Sequence, residues 1–267
     1  MLRKRVITAL WGVPLVIIAI WFDEPLPWFT ILATIWGLLA VIEFYRITGV
    51  SRSSLLTFIG VLWTLVFIIH PHCDFEYVLS SILVLAAVFS FVMQVIIQRR
   101  ERPFYNWICI MTGILYVGLL LSYLVALRID ADKAWLYLAI FATFGSDTFA
   151  YFIGKAIGKH KLAPRISPGK TWEGAIGGLF GTVIISLLFT LPTSLQLPMN
   201  YWQAVLLGIL VSVSGQIGDL LESLLKRKTG VKESGNLLPG HGGLLDRMDS
   251  IVFAGIVVYL YYTFFVA

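Results

Sequence analysis

Apolar windows of about 17–23 residues recur from one end of this chain to the other, the length an α-helix needs to cross a hydrocarbon core of about 30 Å. They occupy residues 6–22, 28–47, 55–70, 77–97, 107–127, 134–153, 174–191, 202–225 and 251–266. In hydrocarbon every backbone N–H and C=O must be satisfied within its own segment, so such windows dictate helices. Composition agrees, with 58% hydrophobic and only 13% charged residues, where soluble chains are about 45–50% apolar. The expected fold is an all-α integral membrane protein of nine transmembrane helices. The stretches between windows are too short for a separate globular domain, so residues 1–267 read as a single membrane domain.

The net charge of +5 raises the question of nucleic acid or anionic partners. Its distribution answers against nucleic acid. With nine spans and a cytoplasmic N-terminus, Arg3, Lys4, Arg5, Arg46, Arg52, Arg99, Arg100, Arg102, Lys155, Lys159, Lys161, Arg165, Lys170, Lys226, Arg227, Lys228, Lys232 and Arg247 fall inside, and only Arg128 and Lys133 fall outside. That 18-to-2 division is the positive-inside pattern. The expected location is the cell (inner or plasma) membrane, multi-pass. Arg3-Lys4-Arg5 ahead of an apolar run resembles a signal peptide, but Trp21-Phe22-Asp23 stands where a small-residue cleavage site belongs, so an uncleaved first span is expected. Cys73 and Cys109 have no spacing that implies a disulfide or metal site.

The two halves differ. Residues 1–132 read mainly as scaffold spans, whose exception, Glu43, reads as a boundary carboxylate near Arg46. Residues 133–267 carry the polar load, expected to form a polar active-site cavity facing the cytoplasm. Asp147 lies in a span, where an ionised carboxylate belongs on a bundle interior or wet cavity and marks function. Residues 154–178 form a cationic loop with Lys155, Lys159, His160, Lys161, Arg165 and Lys170. Within it, Ser167, Lys170, Thr171 and the amides around Pro168-Gly169 suit phosphate oxygens, and Glu173 suits the start of the following helix. Lys159 and Lys161 read as topology-setting anchors. Gly169-Lys170-Thr171 superficially matches a Walker A loop, but Pro164 stands where that motif needs its first glycine.

Residues 215–249 concentrate five carboxylates, five cations and a histidine between two apolar runs. Asp219, Glu222 and Ser223 share one helix face, and Asp246 and Asp249 are three apart. Mg²⁺ takes one or two carboxylates together with substrate phosphates, so Asp219 and Asp246, on either side of one loop, are the expected metal ligands. Asp147 and Asp249 are further metal candidates. Between them, the glycine-rich turn at Pro239-Gly240-His241-Gly242-Gly243 lets backbone approach a ligand closely, and His241 there reads as functional.

These residues carry a resemblance. Ser223-x-x-Lys226-Arg227, then Lys232-Glu233-x-Gly235, then Pro239-x-His241-Gly242-Gly243-x-x-Asp246-Arg247-x-Asp249 is similar to the signature of phosphatidate cytidylyltransferases, also called CDP-diacylglycerol synthases. Ser167-Pro168-x-Lys170-Thr171-x-Glu173 and the Asp147 segment resemble the family's other polar regions. One departure is Glu233, where the family has aspartate. A longer carboxylate shifts ligand geometry, so it is left out of the metal set. The resemblance implies that CTP and phosphatidate give CDP-diacylglycerol and pyrophosphate, in phospholipid biosynthesis, with one or two Mg²⁺ and a monovalent cation as a further candidate. It implies catalytic roles for Asp219, Asp246, Lys170, Arg227 and His241. Substrate contacts are assigned to Ser167, Lys170, Thr171, Glu173, Lys226, Arg227, Gly242, Gly243 and Arg247. Partners are then CTP, phosphatidate and the bilayer, with a homodimer left open. The rivals are a CTP-dependent lipid-alcohol kinase and, from another class, an ion-coupled transporter. A CDP-alcohol phosphotransferase is excluded by the absence of its Asp-Gly-x-x-Ala-Arg pattern.

Overall fold

The structure is a computed structural model that describes residues 2–50, 54–73, 78–97, 103–235, 237 and 242–267. Its described helices are α1 (Leu2–Trp21), α2 (Trp28–Thr48), α3 (Ser54–Ile69), α4 (Val78–Ile97), α5 (Pro103–Gly113), α6 (Leu120–Asp130), α7 (Lys133–Ile157), α8 (Trp172–Leu188), α9 (Tyr201–Lys228) and α10 (Asp249–Phe265). The π-helical stretch Ile114–Leu119 joins α5 to α6 in one continuous apolar rod. Among the described residues, six helical stretches are long and apolar enough to cross a membrane: Trp28–Thr48, Leu55–His72, Leu79–Ile96, Phe104–Asp130, Lys133–Ile157 and Tyr201–Lys228. Leu10–Trp21, Trp172–Leu188 and Asp249–Phe265 are apolar but shorter. The chain is thus a helical membrane protein.

Helix starts follow the local sequence. Asp132 caps α7 by accepting from the Ala134 amide at 2.8 Å, and Asn200 and Gln203 form a reciprocal capping box on α9. One feature departs from a purely helical reading. Part of the cationic loop is an antiparallel hairpin, β1 (Lys161–Ala163) and β2 (Ser167–Thr171), with Lys161 opposite Thr171 and Ala163 opposite Ser167. Pro164 breaks the strand and the Ile166 amide closes the turn on the Ala163 carbonyl at 3.1 Å.

The chain divides into two compact units. The first comprises Met1–Ile129 and Val231–Asp246. Its core is built around α2, where Tyr45 is fully buried and donates to the Ile110 carbonyl at 3.0 Å. Gly60 and Gly113 lie against the Tyr45 ring, which leaves no room for a side chain at either. Arg128 donates to the Ile20 carbonyl at 3.1 Å and approaches Asp23 at 3.6 Å, tying α6 to the α1 end.

The second unit comprises Asp130–Gly230 and Arg247–Ala267. Here α7, α8, α9 and α10 pack through small residues, as membrane helices do. A Cβ on Gly208 of α9 would stand 2.8 Å from Val183 Cα of α8, so those two backbones are nearly touching. Ser146 of α7 meets Ser212 of α9 at 3.3 Å. Trp135 sits between Tyr261 and Tyr262 of α10, with ring centroids 5.8 Å apart in each case.

Candidate active site

The second unit gathers most of the residues singled out by sequence. Lys170, on β2, forms an ion pair with Asp219 of α9. Arg227, two turns further along α9, donates to the Ile166 carbonyl in the hairpin turn at 3.1 Å. The helix therefore fixes the hairpin at two points, which holds the Lys170 ammonium in place rather than leaving it on a free loop. Asp147 of α7 is exposed and feels the charges of Asp219, Lys170 and Arg247. Asp249, opening α10, feels those of Asp219, Asp147 and Lys226. Gly218 makes the last approach feasible, because a side chain there would run into the Asp249 carbonyl.

Other expected contacts are engaged inside the protein. Thr171 is buried and caps α8, its Oγ1 accepting from the Gly174 amide at 3.1 Å. Thr171→Ala is expected to cost about 1 kcal/mol of stability, with Thr171→Ser restoring most of it. Thermal unfolding in detergent checks this, and a raised KM for CTP at unchanged Tm would put the hydroxyl on substrate instead. Glu173 accepts from the His160 ring at 2.7 Å and from its amide at 3.2 Å. Lys226 pairs with the buried Glu222 one turn back. Ser167 is half-buried in β2, while Lys159, Lys161 and Arg165 are exposed, as topology-setting cations can be.

In the first unit, Asp246 Oδ2 accepts from the amides of Ser234 at 3.0 Å and Gly243 at 2.9 Å. Gly242 adopts φ 84°, a left-handed turn that glycine enters without strain. The expected role of His241 lies outside the described residues.

Sequence reasoning misjudged Glu43. It does not act as a boundary carboxylate turned to Arg46, because its side chain is buried and accepts from Ser234 Oγ at 3.2 Å and the Leu245 amide at 3.0 Å. The signal available was a lone carboxylate inside an apolar run, and its partners lie 191 and 202 residues away.

Chemically, the second unit sets three carboxylates, Asp147, Asp219 and Asp249, within the influence of three cations, Lys170, Arg247 and Lys226. Like charges this close are disfavoured unless a cation balances them, and Lys170 does so at Asp219. Among the described residues, no three His, Cys, Asp or Glu side chains form a ready-made metal cage.

The chain matches the cytidylyltransferase family over residues 3–265. The phosphatidate cytidylyltransferase of Bacillus subtilis (strain 168) is 35% identical over 240 residues, 88% of this chain and 87% of the relative. That of Staphylococcus haemolyticus (strain JCSC1435) is 36% identical over 220 residues, 81% of this chain and 84% of the relative. That of Staphylococcus aureus (strain COL) is 35% identical over 226 residues, covering 84% and 85%.

Proposed function

The chain belongs to the cytidylyltransferase family, and on that premise we propose that it converts CTP and phosphatidate to CDP-diacylglycerol and pyrophosphate. It is a membrane nucleotidyltransferase of phospholipid biosynthesis. The observation that carries the site assignment is the Lys170–Asp219 ion pair. It joins the cation of the hairpin to a carboxylate of α9, so a phosphate-binding group and a metal-binding group share one place. The ammonium also marks that place as one where a cation is favourable.

Asp219, with Asp147 and Asp249 beside it in charge range, supplies oxygen donors suited to Mg²⁺, and Asp246 keeps the donor role that the signature implies for it. When bound, Mg²⁺ neutralises phosphate charge and polarises the reacting phosphoryl group. A phosphatidate oxygen attacks the α-phosphorus of CTP, and the bond from that phosphorus to the oxygen bridging the β-phosphate breaks. The bridging oxygen and its electron pair leave with pyrophosphate. A phosphate monoester is largely ionised near neutral pH, its second pKa being about 6, so the attacking oxygen needs no strong base from the protein. Lys170, Arg227 and Arg247 offset the charge that builds on the leaving pyrophosphate. The acyl chains stay in the bilayer while the headgroup enters from the side. Purified protein with labelled CTP, phosphatidate and Mg²⁺ is expected to yield a CDP-lipid. A lipid carrying only the γ-phosphate would establish the kinase instead.

The same reading sets the site in a polar cavity facing the cytoplasm, with nine spans and the N-terminus inside. The 18-to-2 division of cations supports it. Trp172–Leu188 and Asp249–Phe265 fit at the lower end of the spanning range, since 17 residues rise about 25 Å, and α1 as a whole runs 20 residues. The termini are then expected on opposite faces. Single cysteines near residues 2 and 267, labelled from one side of sealed vesicles, check this, and labelling of both from the same side rules out nine spans.

A further inference from the structure

The buried carboxylate of Glu43 meets a segment far away in sequence, and every contact it makes there is to the stretch that presents Asp246. Oε2 accepts from Ser234 Oγ and from the Leu245 amide. Trp36, two turns earlier on α2, donates its indole N–H to the Leu244 carbonyl at 3.1 Å. Asp246 in turn accepts from the Ser234 and Gly243 amides. Glu43 and Asp246 thus hold the same two stretches of chain, 234–235 and 243–245.

Two signature glycines are explained by this clamp. A Cβ on Gly235 would lie 2.7 Å from Glu43 Cδ, and one on Gly243 would strike Glu43 Oε2 and Ser234 Oγ. Both positions need a bare backbone because the carboxylate occupies the space. A charged group at 1% exposure within an apolar helix is costly unless it is satisfied. Here the groups that satisfy Oε2 belong to the 231–246 segment, while Oε1 is buried without a hydrogen-bond partner among the described residues.

We infer that Glu43 is a positioning residue of the N-terminal half: its carboxylate is the template on which residues 234–235 and 243–245 fold, and it thereby sets the geometry of Asp246. The role rests on the reading of Asp246 as a working carboxylate. In Glu43→Ala, kcat is expected to fall about 10²-fold, the scale of a misplacement by about 1 Å, with KM for CTP moving far less. Glu43→Gln retains an oxygen acceptor for Ser234 and Leu245 and is expected to stay within about five-fold of the parent.

Two measurements separate positioning from general damage. Hydrogen exchange on the metal-free, substrate-free protein in detergent should show the Ser234, Gly243 and Leu245 amides losing about ten-fold or more of their protection in Glu43→Ala, with α2 and α3 unchanged. Gly235→Ala should damage the parent strongly yet add less than about two-fold to Glu43→Ala, where the obstructing carboxylate is gone. Unchanged exchange in the 231–246 segment, additive effects of Gly235→Ala, or a Gln variant as inactive as Ala with its protection intact would each overturn the inference. Exchange needs neither CTP nor metal. A failure of the metal assignment for Asp246 therefore leaves the exchange result standing, and a failure of the template leaves Asp246→Asn free to report on the metal.

Discussion

Asp219→Asn is expected to abolish turnover, by about 10³-fold or more in kcat, while the protein still inserts and folds. The change removes one negative charge and leaves the size and packing of the side chain intact. Two functions are lost together. A neutral amide is a poor donor to a hard divalent cation, and it no longer fixes the Lys170 ammonium that the ion pair now holds. Arg227 still anchors the hairpin through Ile166, so the hairpin itself should survive. Steady-state turnover across a Mg²⁺ titration, with Tm as the control for folding, decides the matter. Near-parental activity at low Mg²⁺ would remove Asp219 from the metal site.

How much of this was open to a reader of the sequence depends on the distance over which each contact acts. The helices were legible because hydrocarbon leaves the backbone one economical conformation, so length and hydropathy suffice to mark an all-α membrane protein. The helix caps at Asp132 and Asn200 are local and equally legible. Lys170 and Asp219 were recognisable as chemistry-bearing residues, because charge is rare in this chain and both stand beside turns or helix ends. Their pairing was not, since it depends on the hairpin folding back onto α9. The hairpin was missed for a related reason. A three-residue strand has too little alternation to show as a pattern, and Pro164 with the glycines reads as loop. Thr171 shows how a local use adds to a reading by residue type. Its hydroxyl suits a phosphate oxygen by type, but the nearest need it meets is the Gly174 amide at the start of α8. Glu43 was the least legible, for its environment is created by residues near the other end of the chain.

The second large effect concerns the cations of the hairpin region, where a phosphate-handling lysine must be told from a topology-setting one. Lys170 is half-buried and oriented by Asp219, so its ammonium has lost much of its freedom before any substrate binds. Lys159 is exposed, and an exposed charge is screened within about 8–10 Å at ordinary ionic strength. Lys170→Ala is therefore expected to lower kcat/KM for CTP by about 10²–10³-fold, the scale of losing an oriented charge-assisted contact to a developing anion. Lys159→Ala should cost no more than about three-fold, and added salt should shrink that loss further. The Mg²⁺ dependence distinguishes a lost phosphate contact from a disturbed Asp219. If Lys170 serves phosphate, its removal frees Asp219 from a competing cation, so the Mg²⁺ concentration giving half-maximal rate should hold or fall while KM for CTP rises. A rise in the Mg²⁺ requirement with KM for CTP unchanged would make Lys170 a support for Asp219 alone. Equal, small effects of the two substitutions would make the Ser167–Glu173 string structural.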